Sequence, residues 1–125
     1  MTETDNYILR AQNIEKHYQS GPDILKVLKG VTLNIRSGEI LVIMGPSGVG
    51  KSTLLHIMGT LDKPTVGEVI INDQQVSKLK ETEISKFRNL NIGFVFQFHY
   101  LLPEFTAQEN LLIPRMIKGK DWKED

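Results

Sequence analysis

The string Gly45-Pro46-Ser47-Gly48-Val49-Gly50-Lys51-Ser52 constrains this chain more than any other feature. It meets the pattern G-x-x-x-x-G-K-[ST], and Thr53 follows. By average residue usage such a string arises by accident in on the order of half a per cent of chains this long, so its context decides. Before it runs Ile40-Leu41-Val42-Ile43-Met44, wholly apolar and bounded by turn residues, the pattern of a short strand buried on both faces. After it Leu54, Leu55, Ile57 and Met58 recur at helical spacing from about Gly50. Strand, glycine-rich turn and helix in that order point to an α/β fold.

The same order is the context in which this motif grips phosphate. Glycines at 45, 48 and 50 let the backbone curl until successive N–H groups point inward at phosphate oxygens. The helix that starts there adds the positive end of its dipole. The expected nucleotide-binding set is therefore Gly45, Pro46, Ser47, Gly48, Val49, Gly50, Lys51, Ser52 and Thr53. Lys51 is aimed at the β- and γ-phosphates of ATP, and the Ser52 hydroxyl is placed for Mg²⁺.

At 125 residues the chain fits one domain or a piece of one. Fifteen basic residues balance fifteen acidic ones, which gives no electrostatic reason to expect nucleic acid or a bare anionic membrane as partner. There is no cysteine, so disulfides and thiolate metal sites are excluded. Met1 to Asn6 is polar and acidic, unlike a secretory signal. The run from Ile40 to Met44 is far too short to span a bilayer. These features predict a soluble protein that meets a membrane only through a partner.

Along the chain, Tyr7 to Tyr18 and Val27 to Ile35 read as strands, with Ser20-Gly21-Pro22-Asp23 as the turn between them. Pro64 and Gly67 break the chain before a strand at Val69-Ile70-Ile71, which turns at Asn72-Asp73. Lys80 to Leu90 carries Ile84, Phe87 and Leu90 at helical spacing, and Ile92 to Phe96 reads as another strand. Phe98 to Phe105 is an aromatic loop. Thr106 with Glu109 three residues on forms a capping-box pattern, and Pro114 is expected to bend or end the helix that follows.

Other residues admit two readings each. Tyr18, at a strand end, could stack on adenine or cover the sheet edge. Gln97, just after a strand, is well placed to touch a metal or an attacking water, or could simply bond to backbone. Asp73 follows an apolar strand, as a Mg²⁺-holding aspartate does, but Asn-Asp before Gln74-Gln75 is a turn signal and that reading is preferred. His17, His56 and His99 have no metal-ligand spacing, and His56 is expected to pack inside its helix. Trp122 lies near the chain end and carries no weight.

Taken together these residues resemble the ATP-binding subunits of ABC transporters. The order that carries the resemblance is Tyr18, Leu28-Lys29-Gly30-Val31, Gly38-Glu39, the phosphate loop, Gly67-Glu68-Val69 and Gly93-Phe94-Val95-Phe96-Gln97. Thr53-Leu54-Leu55-His56, Leu61-Asp62-Lys63-Pro64-Thr65 and the loop Phe98 to Phe105 are similar to the lipoprotein-releasing (Lol-type) branch. That branch belongs with the macrolide-exporter-type and cell-division-type ATPases, which stand as alternatives. The resemblance implies that Tyr18 stacks on adenine and that Gln97 senses Mg²⁺ and the γ-phosphate. It implies a catalytic part for Lys51 and Gln97, and contact of the 98–105 loop with a transmembrane permease subunit. It further implies a second copy of the ATPase subunit, closing head to tail, and a place on the cytoplasmic face of the inner membrane.

There are departures. Asn72-Asp73 stands where the family often has a glycine turn. No Leu-Ser-Gly-Gly-Gln-like signature, no strand ending in Asp-Glu and no later switch histidine occur in these residues. The expectation is that residues 1–125 are the N-terminal part of one nucleotide-binding domain: an incomplete P-loop fold of the ABC type, with N-terminal strands, phosphate loop and helix, and the start of the helical subdomain. Such a chain would bind ATP and scarcely hydrolyse it alone. A non-catalytic nucleotide-binding fragment, or a small phosphotransferase, would be the competing classes; the latter needs an acceptor site and a catalytic carboxylate, and neither is evident.

Overall fold

A computed structural model describes residues 6–119. The chain divides into two compact units, Met1–Leu79 and Lys80–Asp125. Among the described residues the first is a four-stranded antiparallel sheet carrying one α-helix and a short 3-10 turn at Val76–Lys78. Strand β1 (Tyr7–Ser20) forms a long hairpin with β2 (Asp23–Arg36), and β3 (Val66–Ile71) pairs with the other edge of β1 and with the short β4 (Gln74–Gln75), in the order β2-β1-β3-β4.

Turn chemistry sets both hairpins. Ser20 faces Asp23 across the two-residue loop Gly21-Pro22, with Gly21 at φ 61°. Asn72 and Asp73 both take positive φ, 49° and 60°, the left-handed pair that a two-residue hairpin demands and that Asn and Asp tolerate without glycine. The missing glycine therefore leaves the turn intact. Asp73 is spent there, with its carboxylate 2.6 Å from the Arg10 guanidinium.

β1 is bulged between Ala11 and Glu15, and Asn13 sits at φ 51°. The irregularity drops Ile14 into the core, where it is fully buried beside Ala11. Gly67 crosses the same point at φ 94°, and a Cβ there would press into the backbone oxygens of Asn13 and Gln12. Only glycine fits.

Helix α1 (Lys51–Met58) buries Leu54, Ile57 and Met58, one face at i, i+3 and i+4, and packs on β2. Burying a side chain such as Ile57 stabilises the unit by about 1.5–3 kcal/mol. His56 points away from that face and is exposed, so the expected packing histidine is not one. The face that buries 54, 57 and 58 leaves 55 and 56 outward.

The second unit holds α2 (Glu81–Asn91) and α3 (Ala107–Lys118). α2 buries Ile84 and Phe87, with Leu90 half out. At the start of α3 the Thr106 hydroxyl accepts from the Glu109 amide at 3.2 Å and the Glu109 carboxylate accepts from the Thr106 amide at 2.7 Å, the reciprocal cap read from the sequence. Pro114 does not end the helix, which continues to Lys118 and closes at Gly119 with φ 79°. The proline removes one donor, and its own carbonyl accepts from the Asn89 side chain at 2.9 Å.

Two expected strands are absent. Ile40 to Met44 and Ile92 to Phe96 pair with no strand among the described residues. Ile40 is 92% exposed, Met44 86% and Val95 fully exposed. A strand buried on both faces takes its burial from flanking strands and covering layers, and the described residues supply none for these runs.

Candidate functional site

The phosphate loop is built as its composition requires. Gly48 and Gly50 take φ 80° and 103°, which bring the chain around into α1 with Gly50 as its N-cap. Gly50 also lies against β2: a Cβ there would come 3.0 Å from Leu28 and 3.1 Å from Val27. The first intrahelical amide bond is Leu54 N–H to Gly50 O, at 2.9 Å. No side chain caps the helix and its first turn holds no acidic residue. The amides of Gly50 to Thr53 thus form a cluster of uncompensated donors at a positive helix end, an anion seat by construction.

Lys51 closes that seat. Its Nζ donates to the carbonyls of Gly45 and Pro46, at 2.6 Å each, so the ammonium lies across the mouth of the loop. The Ser52 hydroxyl is exposed beside it and Thr53 is half-buried. A hydroxyl is a hard oxygen donor of the kind Mg²⁺ takes in company with phosphate oxygens, so the residues present suit that ion.

Tyr18 lies near the end of β1 and is 42% exposed. The Lys16 ammonium sits over its ring, 5.3 Å from the centroid, and its hydroxyl lies 3.4 Å from the Asp62 carboxylate. Lys16 also donates to Asp62 at 2.8 Å and to the Lys63 carbonyl at 2.7 Å. Partial burial pushes the Asp62 carboxyl up, but the hydrogen bond from Lys16, the Lys63 amide and the Lys16 charge outweigh it, and the group is held below its ordinary value. The segment after α1 is sewn to β1 by two further bonds: the Thr65 amide to the Glu15 carbonyl at 2.8 Å, and the His17 amide to the Thr65 hydroxyl at 2.9 Å.

Gln97 belongs to the second unit, exposed, in the segment between α2 and α3. It follows a run in which Phe94 and Phe96 stack at 5.3 Å, while Phe96 meets Tyr100 edge-on at 5.0 Å.

The model of the ABC transporter family matches residues 28–125. The chain belongs to the ABC transporter family. It is 56% identical over 117 residues to a lipoprotein-releasing system ATP-binding protein, LolD, of Bacteroides thetaiotaomicron, covering 94% of this chain and 52% of that one. The protein of the same name from Shewanella frigidimarina is 48% identical over 97% of this chain and 51% of its own length. Among solved structures it is similar to the ATP-binding cassette MJ0796 in a dimeric post-hydrolysis state bound to ADP and Pi, with a TM-score of 0.85, 48% identity, and coverage of 88% of this chain and 47% of that one. The ABC-cassette fold expected from the sequence is therefore present. The chain spans about half the length of the curated relatives it matches.

In this cassette segment the loop after Gln97 is fastened from one side. Asn110, in the first turns of α3, accepts from the Leu102 amide at 2.9 Å and donates to the carbonyls of Leu102, Phe105 and Thr106 at 3.1, 3.1 and 2.9 Å. With its backbone so held, the loop turns Phe98, Tyr100 and Leu101 outward, at 65%, 70% and 65% exposure. Leu102 and Phe105 are also exposed, so none of the five large apolar side chains is core in this unit. No helix among the described residues is long and apolar enough to cross a membrane.

Two features of this ABC segment escaped the sequence reading: the Lys16–Asp62 brace on Tyr18 and the Asn110 clip. Lys16 carried a faint signal, since residues i and i+2 of a strand share a face. Asp62 carried none, because its partner is 46 residues away in the chain; Asn110 carried none, because its partners, 4 to 8 residues back, are backbone groups that any residue supplies.

Proposed function

We propose that this chain binds Mg·ATP and forms the nucleotide-gripping part of an ATPase that drives an ABC transporter, one that releases lipoproteins from the inner membrane. The observation that carries the reading is the start of α1, which no side chain caps, with the Lys51 ammonium bound to the Gly45 and Pro46 carbonyls of the loop that leads into it. Similarity to a cassette solved with ADP and Pi, and to proteins named for lipoprotein release, supports it.

In this reading Tyr18 takes the adenine. The loop from Gly45 to Ser52 and Thr53 holds the phosphates, with Lys51 released from the Gly45 and Pro46 carbonyls to meet the β- and γ-phosphates. Ser52 and Gln97 are the residues that would hold Mg²⁺, which neutralises phosphate charge when bound. Lys51 and the loop amides stabilise charge on the transferring phosphoryl, and Gln97 orients toward the γ-phosphate. Residues 1–125 act as the N-terminal part of one nucleotide-binding domain, paired with a second copy in the working ATPase. The apolar loop Phe98 to Phe105 meets a permease subunit, which places the assembly on the cytoplasmic face of the membrane.

The test is thermal unfolding across millimolar Mg·ATP. Binding at a hundred times Kd raises native stability by about 2.7 kcal/mol, and Lys51→Ala should abolish most of that gain. An unshifted transition in folded wild-type chain overturns the reading. ATP turnover by these 125 residues alone should be negligible, since the sequence has no apolar strand ending in Asp-Glu to polarise a water; robust turnover lost in Lys51→Ala would contradict that part.

A further inference from the structure

We propose that Asp62 is a positioning residue for nucleotide binding, holding Tyr18 as a rigid platform for the base through Lys16. The proposal rests on the reading of Tyr18 as the adenine-stacking residue and deepens it.

An aromatic side chain at a strand end is free about its side-chain torsions unless something fixes it, and a base stacks best on a ring that does not have to be ordered on binding. Here the ring is fixed at two points. The Lys16 ammonium lies over the ring, and Tyr18 is 42% exposed, so a flat ligand would stack on the face away from Lys16. Asp62 accepts at the far end from the tyrosine hydroxyl, through a longer and weaker 3.4 Å contact. The stronger hold is indirect. Asp62 draws Lys16 to 2.8 Å, the Lys63 carbonyl takes it at 2.7 Å, and the Lys16 side chain is only 13% exposed. An ammonium so anchored cannot leave the ring for solvent.

Asp62 is itself placed by the helix that begins at the phosphate loop. The amides of Leu61 and Asp62 donate back to the His56 carbonyl at 2.8 and 3.2 Å, closing α1. The next residues are bound to β1 through Thr65. One helix of eight residues, about 12 Å long, thus carries the phosphate seat at its start and the brace for the base at its end. The base and phosphate contacts are set on one rigid element.

The experiment compares the affinity of the whole chain for Mg·ATP with that for inorganic tripolyphosphate, which engages the phosphate loop and has no base. Asp62→Ala should weaken ATP about fivefold to tenfold, a fraction of the value of stacking a base on an aromatic ring, without a matching loss for tripolyphosphate. Lys16→Met should do the same, and Tyr18→Phe, which keeps the ring and drops the hydroxyl contact, should cost about twofold. If Asp62→Ala does not fold, Lys16→Met and Tyr18→Phe carry the test. Equal losses for the two ligands in Asp62→Ala, or a wild-type ratio in folded Asp62→Ala and Lys16→Met, overturn the proposal. A wild-type ratio in Tyr18→Ala brings down the base-platform reading beneath it, and unaltered binding of both ligands in Lys51→Ala brings down the phosphate-loop reading.

Discussion

Val66–Ile71 and Ile40–Met44 are short apolar runs in the same unit, and they end in opposite conditions. The first is β3, paired on one side with β1 from Leu9 to Glu15 and on the other with β4, and Val69 and Ile71 are buried. The second pairs with nothing described, and Ile40, Val42 and Met44 lie in the open. Val66–Ile71 carries Gly67 and Glu68 among its apolar residues, whereas Ile40–Met44 is wholly apolar, so the more apolar run is the one left bare. What separates them is supply: a strand's backbone groups and side chains are satisfied by neighbours, and only β3 has neighbours within the described chain. The bare run leads directly into the phosphate loop, whereas the glycines, helix start and lysine of that loop are all in order. Local geometry at the loop is thus maintained from the α1 and β2 side, where Gly50 abuts Val27 and Leu28.

The contrast can be broken most sharply at Gly67. Gly67→Ala should cost about 4 kcal/mol in denaturant unfolding, combining a left-handed φ strained by about 1–3 kcal/mol with overpacking against Asn13 and Gln12 of about 1–3 kcal/mol. A loss below about 1 kcal/mol would mean that β3 is held far more loosely than its register implies.

A paired truncation comes next. Ile71→Ala, in β3, should destabilise by about 3 kcal/mol, while Ile40→Ala should stay within about 0.5 kcal/mol. Comparable losses at the two positions would show that Ile40 to Met44 is covered in solution and would erase the distinction. Amide hydrogen exchange checks the same point without substitution, with protection expected at Val69 to Ile71 and fast exchange from Ile40 to Met44.

The smallest effect expected is in acid. The Asp62 carboxyl is held below its ordinary value, so it binds fewer protons in the folded than in the unfolded chain. Its contribution is complete above the usual carboxylate range and is lost as pH falls through the lowered folded value. Asp62→Asn should flatten the acid limb of the stability–pH curve slightly, by an amount kept small because the side chain is 38% exposed. A steeper acid limb in the variant would reverse the sign and remove the Lys16 pairing as its cause.

Much of the site was legible because its signals are short in range. Gly48, Gly50 and Lys51 act within one turn of chain, and the glycines take the φ values their loop requires. Thr106 and Glu109 cap α3 across three residues. Asn72-Asp73 forms its hairpin from its own backbone preferences. The brace on Tyr18 was not legible, since Lys16 and Asp62 meet only when the segment after α1 is laid against β1. Nor was the course of α3 past Pro114, where the cost of one missing donor was outweighed by the rest of the helix.

The sequence by itself determined the phosphate loop, the hairpin turns and the helix cap, because each depends on backbone conformations chosen by a few adjacent residues; the order of its motifs carried the resemblance to the ABC family. Only the tertiary structure decided which apolar runs are buried, that His56 faces outward, that Asn110 pins the loop from Phe98 to Phe105, and that Asp62 reaches Tyr18 through Lys16. Burial and side-chain pairing are properties of neighbours brought from far along the chain. An apolar pattern states what a segment requires around it, and the fold determines whether that surrounding is there.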